Sequence, residues 1–71
     1  MLNKNIRDFR EDNDLTQKTI AKVLNVDRTA YVKYENGKLE FPHQIINELA
    51  DYYNTSTDFL YGRTRETKPY P

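Results

Sequence analysis

Apolar side chains recur along the chain at intervals of three and four, and clusters of polar turn residues interrupt them, a pattern that predicts helices and no strands. Leu2, Ile6 and Phe9 share one side of the first stretch while Lys4, Arg7, Asp8, Glu11 and Asp12 fall on the others, which describes an amphipathic helix ending near Asn13. Leu15 then points back toward the core. A second helix is expected after Thr16, a suitable N-cap, with Ile20, Ala21 and Leu24 on its apolar side. Asn25 tolerates the left-handed conformation that would release it. Asp27 can cap a third helix running to about Asn36, and Gly37 follows as the C-terminal glycine. The proline at 42 forces Phe41 to be extended, so a fourth helix starts at Pro42 or His43, carries Ile45, Ile46, Leu49, Ala50 and Tyr53, and ends at Asn54. Ser56 or Thr57 caps a short fifth helix bearing Phe59 and Leu60, which Gly62 closes.

Residues 17–37 are the segment that points to a function. Two short helices joined by the polar turn Asn25, Val26 and Asp27 have the spacing that sets one helix across DNA and the next into its major groove. Gln17, Ala21, Val26, Arg28, Lys33, Tyr34, Glu35, Asn36 and Gly37 stand together in one register, and on these residues the segment resembles the Cro and repressor type of helix-turn-helix, the lambda repressor-like family. The resemblance runs from Leu2 to Gly62 and includes the ending Asn54, Thr55, Ser56, Thr57, Asp58, Phe59 and Leu60. It implies an all-α fold, a compact five-helix domain over residues 1–62 with the helix-turn-helix at helices two and three, followed by a polar tail at 63–71. Small phage regulators of the Cro-like and modulator-of-repression kinds are similar to this chain.

Length and composition narrow the picture further. A chain of 71 residues with 37% apolar content holds one small core, which argues against a second domain or a buried enzyme cleft. Without cysteine there is no disulfide frame and no cysteine-based zinc site, and a lone histidine with no nucleophile–base constellation and no phosphate-binding glycine loop argues against an enzyme. No cofactor or metal is expected, nor a small-molecule ligand. The absence of a signal-like or membrane-length apolar run leads to the expectation of a cytoplasmic protein with no membrane partner.

Charge cuts against a simple DNA-binding picture, since 11 basic and 11 acidic side chains cancel. Their distribution restores part of it: residues 1–15 carry a net −1, 16–43 carry +2, 44–61 carry −3 and 62–71 carry +2. The helix-turn-helix is therefore basic relative to the helix that follows.

A helix in the major groove reads base edges with its first turns, so Asp27, Arg28, Thr29, Val32 and Lys33 are the outward positions to consider. Arg28 is the leading base reader, because its fork can donate two hydrogen bonds to guanine O6 and N7. Lys33 can do the same less rigidly, and Thr29 offers a methyl for thymine and a hydroxyl. Thr16 and Gln17 open helix two, where backbone N–H groups and the helix dipole favour a phosphate. The resemblance implies that Gln17 bonds both that phosphate and a recognition-helix side chain. Asn36 and Gly37 end helix three and bring backbone N–H groups toward another phosphate, with Lys38 beside them. The family also pairs an arginine on helix one with a glutamate at the end of helix three, which implies a partly buried Arg10–Glu35 ion pair. Tyr31 and Tyr34 are expected to pack in the core, and His43 is read as a solvated helix end.

Several positions depart from that pattern. Asp27 stands where serine or threonine is usual and brings a carboxylate toward phosphates; Val32 places an apolar group in the reading face; Leu39, Glu40 and Phe41 make an apolar and acidic loop where relatives are often basic. Each apolar residue taken alone can fold inward. Taken together with zero net charge, they open a second reading, in which Val32, Leu39 and Phe41 anchor a protein partner and Arg28 and Lys33 form its charged rim. The partner is then double-stranded operator DNA, a cognate repressor protein whose DNA-binding domain is occluded, or both. A homodimer is open to it.

Overall fold

The computed structural model describes residues 2–68; residue 1 and residues 69–71, the end of the expected tail, lie outside the described residues. Five helices follow in order: α1 (Leu2–Asp12), α2 (Gln17–Leu24), α3 (Arg28–Glu35), α4 (His43–Tyr52) and α5 (Thr57–Tyr61). No strand occurs among the described residues. Local chemistry sets nearly every boundary. The Thr16 hydroxyl accepts from the Thr19 N–H, the Asp27 carboxylate from the Thr29 N–H, and the Ser56 hydroxyl from the Phe59 N–H, so three helices begin on a side-chain cap. Left-handed residues release the chain at the other ends: Asp14 after α1, Asn25 after α2, Gly37 after α3, Asn54 after α4 and Gly62 after α5. Pro42 precedes α4 with no side-chain cap, as its ring has no acceptor to offer.

The apolar faces meet in one core of Ile6, Ile20, Ala21, Leu24, Tyr31, Phe41, Ile45, Ile46, Leu49, Ala50 and Leu60. Leu15 and Val26 pack against it from the two turns that flank α2, and Tyr34 is half-buried beside it. Aromatic rings stitch its edges: Phe9 stacks on Tyr53 at 5.3 Å and meets Phe59 edge-on at 5.6 Å. The helix-turn-helix pair α2 and α3 leans on α1 and α4, which leaves the outer side of α3 uncovered. None of the helices is long and apolar enough to cross a membrane, among the described residues.

Tyr31 and Tyr53 hold their protons far above the ordinary tyrosine range. Burial is the first cause for both; the Glu35 carboxylate adds to it for Tyr31, and at Tyr53 the Arg10 charge opposes it without reversing it. An unfolded chain releases these protons at about pH 10 while the folded one keeps them, so stability is full below that pH and falls as pH rises through it. The expected decline is about 1.4 kcal/mol per pH unit for each phenol. Urea unfolding midpoints at pH about 9 and about 11 measure it, and Tyr53→Phe should flatten the slope; equal midpoints for the native chain contradict it.

Candidate nucleic-acid interface

The site is built around the start of α2 and the exposed side of α3. Thr16 is consumed as a cap: its hydroxyl accepts from the Thr19 N–H at 3.0 Å and donates to the Thr19 hydroxyl at 2.9 Å. Beside it, the first-turn N–H groups of Gln17 and Lys18 have no intrahelical partner. Gln17 places one amide hydrogen on Glu35 Oε1 at 3.3 Å, so the expected link from α2 to a side chain of α3 is present. The second amide hydrogen of Gln17 remains for an anion. Arg10, Leu15, Thr16, Gln17, Lys18 and Arg28 line one open cleft of about 450 Å³ beside this helix start. Three cations border that cleft, but only two of them are uncompensated within it, since Arg10 already belongs to Glu35.

The Arg10–Glu35 pair is bidentate. Nε donates to Oε2 and Nη2 to Oε1, both at 2.9 Å, while Nη1 donates to the Leu15 carbonyl at 2.8 Å. Only 3% of the Glu35 side chain and 12% of the Arg10 side chain are exposed. The hydrogen bonds to Glu35 hold the guanidinium proton against the opposing cost of burial and raise its pKa further. One carboxylate thus ties α3 both to α1 and, through Gln17, to α2.

Arg28, Thr29 and Lys33 are exposed along α3, and Asp27 stands at its head. The Asp27 carboxylate accepts from the Thr29 N–H at 3.2 Å, so it caps the helix and spends part of its charge on the dipole. Val32 is half-buried on the same helix. At the far end, the Asn36 N–H donates to Val32 carbonyl, Gly37 N–H to Tyr34 carbonyl, Lys38 N–H to Asn36 Oδ1 and Leu39 N–H to Lys33 carbonyl. Those four backbone donors turn inward, contrary to the expectation that the backbone of Asn36 and Gly37 faces a phosphate. The Asn36 amide nitrogen and the Lys38 ammonium are what this end offers an anion.

The loop after α3 divides the three apolar anchors. Leu39 is 45% exposed and Glu40 is exposed beside it. Phe41 is corrected: it is 9% exposed, with its ring 5.5 Å from that of Tyr34 and 6.2 Å from that of Tyr31. The extended residue that Pro42 imposes swings the ring under α3 rather than out to a partner.

Two asparagines escaped the sequence reading. The Asn3 amide donates to the carbonyls of Tyr34, at 3.0 Å, and Glu35, at 3.4 Å; the Asn5 amide donates to those of Phe59 and Leu60, at 3.2 and 3.1 Å. Each reaches carbonyls in the last turn of another helix, where the Tyr34 carbonyl also accepts from Gly37 N–H and the Phe59 carbonyl from Gly62 N–H. No local signal marks them, because their partners lie 31 to 55 residues away.

Among known proteins, the helix-turn-helix family model matches residues 6–60. The chain is 29% identical over 69 residues, 97% of its length, to 44% of the antitoxin PezA of Streptococcus pneumoniae serotype 4. It is 30% identical over 67 residues, 94% of its length, to 53% of the HTH-type transcriptional regulator ImmR of Bacillus subtilis. To the cryptic phage CTXphi transcriptional repressor RstR of Vibrio cholerae it is 32% identical over 53 residues, which is 75% of this chain and 48% of that one. The chain spans about half the length of these relatives. No solved structure matches it significantly.

Proposed function

The chain belongs to the Cro/C1-type helix-turn-helix family, and from that premise we propose that it is a phage or bacterial transcriptional regulator that binds operator DNA in a lysis/lysogeny-type genetic switch. Residues 1–62 act as the domain that docks on the duplex. One observation carries the reading: the open N-terminus of α2, Gln17, Lys18 and Arg28 converge on a single cleft, at the edge of an α3 whose Arg28, Thr29 and Lys33 are free of core duties. A phosphate at the start of α2 sets α3 against the groove. Arg28 then reads guanine, Thr29 and Lys33 take neighbouring bases or phosphates, and Lys38 with the Asn36 amide grips the backbone at the other end of α3. A homodimer places two such helices in successive major grooves, about 34–36 Å apart. The relatives named as transcriptional regulators and repressor support this reading.

The test uses duplexes selected by the protein from a random-sequence pool, followed by gel-shift titration. Arg28→Ala is expected to lose about 1–3 kcal/mol of discrimination at one base pair, and Lys38→Ala to weaken all sequences evenly and lower the salt slope by about one. A protein that retains no duplex at low salt sinks the reading.

The exposed Leu39 beside Glu40 favours a second reading, that this face docks on the DNA-binding domain of a cognate repressor and occludes it. Zero net charge suits such a contact better than it suits phosphate. A repressor that co-elutes with the protein while the protein alone shifts no DNA decides for it.

A further inference from the structure

We infer that Asn3 is a positioning residue for the recognition helix, holding the end of α3 so that Arg28, Thr29 and Lys33 meet the groove at the right tilt; the inference rests on the DNA reading above. Asn3 and Arg10 lie seven residues apart on one face of α1, about 10.5 Å along its axis. Both grip α3 at Glu35. Arg10 takes the carboxylate, while the Asn3 amide takes the backbone carbonyls of Glu35 and Tyr34. The Glu35 side chain is a flexible tether between Arg10 and the backbone of α3, whereas the Asn3 amide holds that backbone directly, and together with the core packing of Tyr31 it fixes the direction of the end of the helix. The hold also reaches the turn that ends α3: a Cβ at Gly37, whose φ is +84°, would meet the Asn3 amide nitrogen at 3.6 Å. The Tyr34 carbonyl it touches accepts from Gly37 N–H too, so the last turn of α3 and the turn toward Lys38 share one acceptor. A base-reading side chain must be held within about 0.5 Å and 10–20° of its productive pose, a tolerance that a pivoting helix does not meet.

Asn5 supplies an internal control. Its amide makes the same two-carbonyl clamp, at similar distances, on α5 instead of α3. Loss of either clamp costs comparable stability, but only the loss at Asn3 loosens the reading helix.

The experiment compares the full chain with Asn3→Ala, Asn5→Ala and Asn3→Gln, which keeps an amide donor. Its readouts are affinity for the duplex the native protein selects, affinity for random duplex, and amide hydrogen exchange. Asn3→Ala is expected to lose about tenfold of its preference for the selected duplex, with random-duplex affinity unchanged, while Asn5→Ala keeps its preference within about twofold and Asn3→Gln recovers part of the loss. Exchange in the last turn of α3 and at residues 37–39 should quicken in Asn3→Ala and not in Asn5→Ala. Equal preference in the two alanine variants, or exchange in that turn unchanged by Asn3→Ala, overturns the inference and leaves the DNA reading standing. A native protein that selects no duplex overturns the DNA reading and the inference with it.

Discussion

Arg10→Ala is expected to destabilise the domain by about 3–5 kcal/mol, enough to leave much of it unfolded at room temperature. The size follows from what is left behind rather than from what is removed. The Glu35 side chain is 3% exposed, and after the substitution its carboxylate keeps only the Gln17 amide, at 3.3 Å, and the phenol of Tyr31 close by. An ionised group so placed is short of both water and a counter-charge. The Leu15 carbonyl loses its donor as well. Thermal unfolding followed by circular dichroism should show a fall in Tm of roughly 12 °C or more. Glu35→Leu combined with Arg10→Met removes both charges at similar volume and should recover most of that stability. A single variant within about 1 kcal/mol of the native protein shows that the pair is solvated in solution and contributes little. The recovered double variant is informative about function too: it keeps a folded core but lacks the charged tether, so weakened DNA preference in it assigns the pair to aiming α3 and not merely to holding the fold.

What could be read from the chain and what could not divides by distance along it. Thr16, Asp27, Asn25, Asn54, Gly37 and Gly62 act on groups within a few residues of themselves, so cap and turn chemistry placed the five helices to within a residue or two. The Arg10–Glu35 pair spans 25 residues, and it was legible only because the whole register resembles a known family. The clamps of Asn3 and Asn5 have no such help: an asparagine on an amphipathic helix looks the same whether it faces water or the end of another helix. Exposure in the loop after α3 is likewise a property of the assembled fold. Leu39 and Phe41 are two residues apart, yet one is exposed and the other buried, because the chain bends at Lys38 and Leu39 before Phe41 meets the core. Setting aside the Arg10–Glu35 pair, which is neutralised in the interior, leaves the net charge at zero but raises the balance of residues 16–43 from +2 to +3 and lowers that of 1–15 from −1 to −2, so the segment sums understate the contrast.

That split between Leu39 and Phe41 sets the second large effect. Phe41→Ser is expected to cost about 3–5 kcal/mol, since it removes a ring packed against Tyr31 and Tyr34 and leaves a hydroxyl in the space. Leu39→Ser removes a side chain that is 45% exposed and should change stability by no more than about 0.5 kcal/mol. Urea unfolding of the two variants measures the contrast, and similar midpoints would mean that Phe41 is not part of the core in solution. The contrast decides how the two functional readings can be told apart. Loss of a repressor complex on Phe41→Ser reports a collapsed α3 support and says nothing of a contact, because the recognition helix rests on that ring through Tyr31 and Tyr34. Leu39→Ser carries no such ambiguity. If the loop docks on a repressor, it should weaken that complex by more than about 1 kcal/mol while the affinity for a selected duplex stays as it was. Complex formation unchanged by Leu39→Ser, in a protein as stable as the native one, removes Leu39 from the contact and takes from the second reading the exposed side chain it rests on.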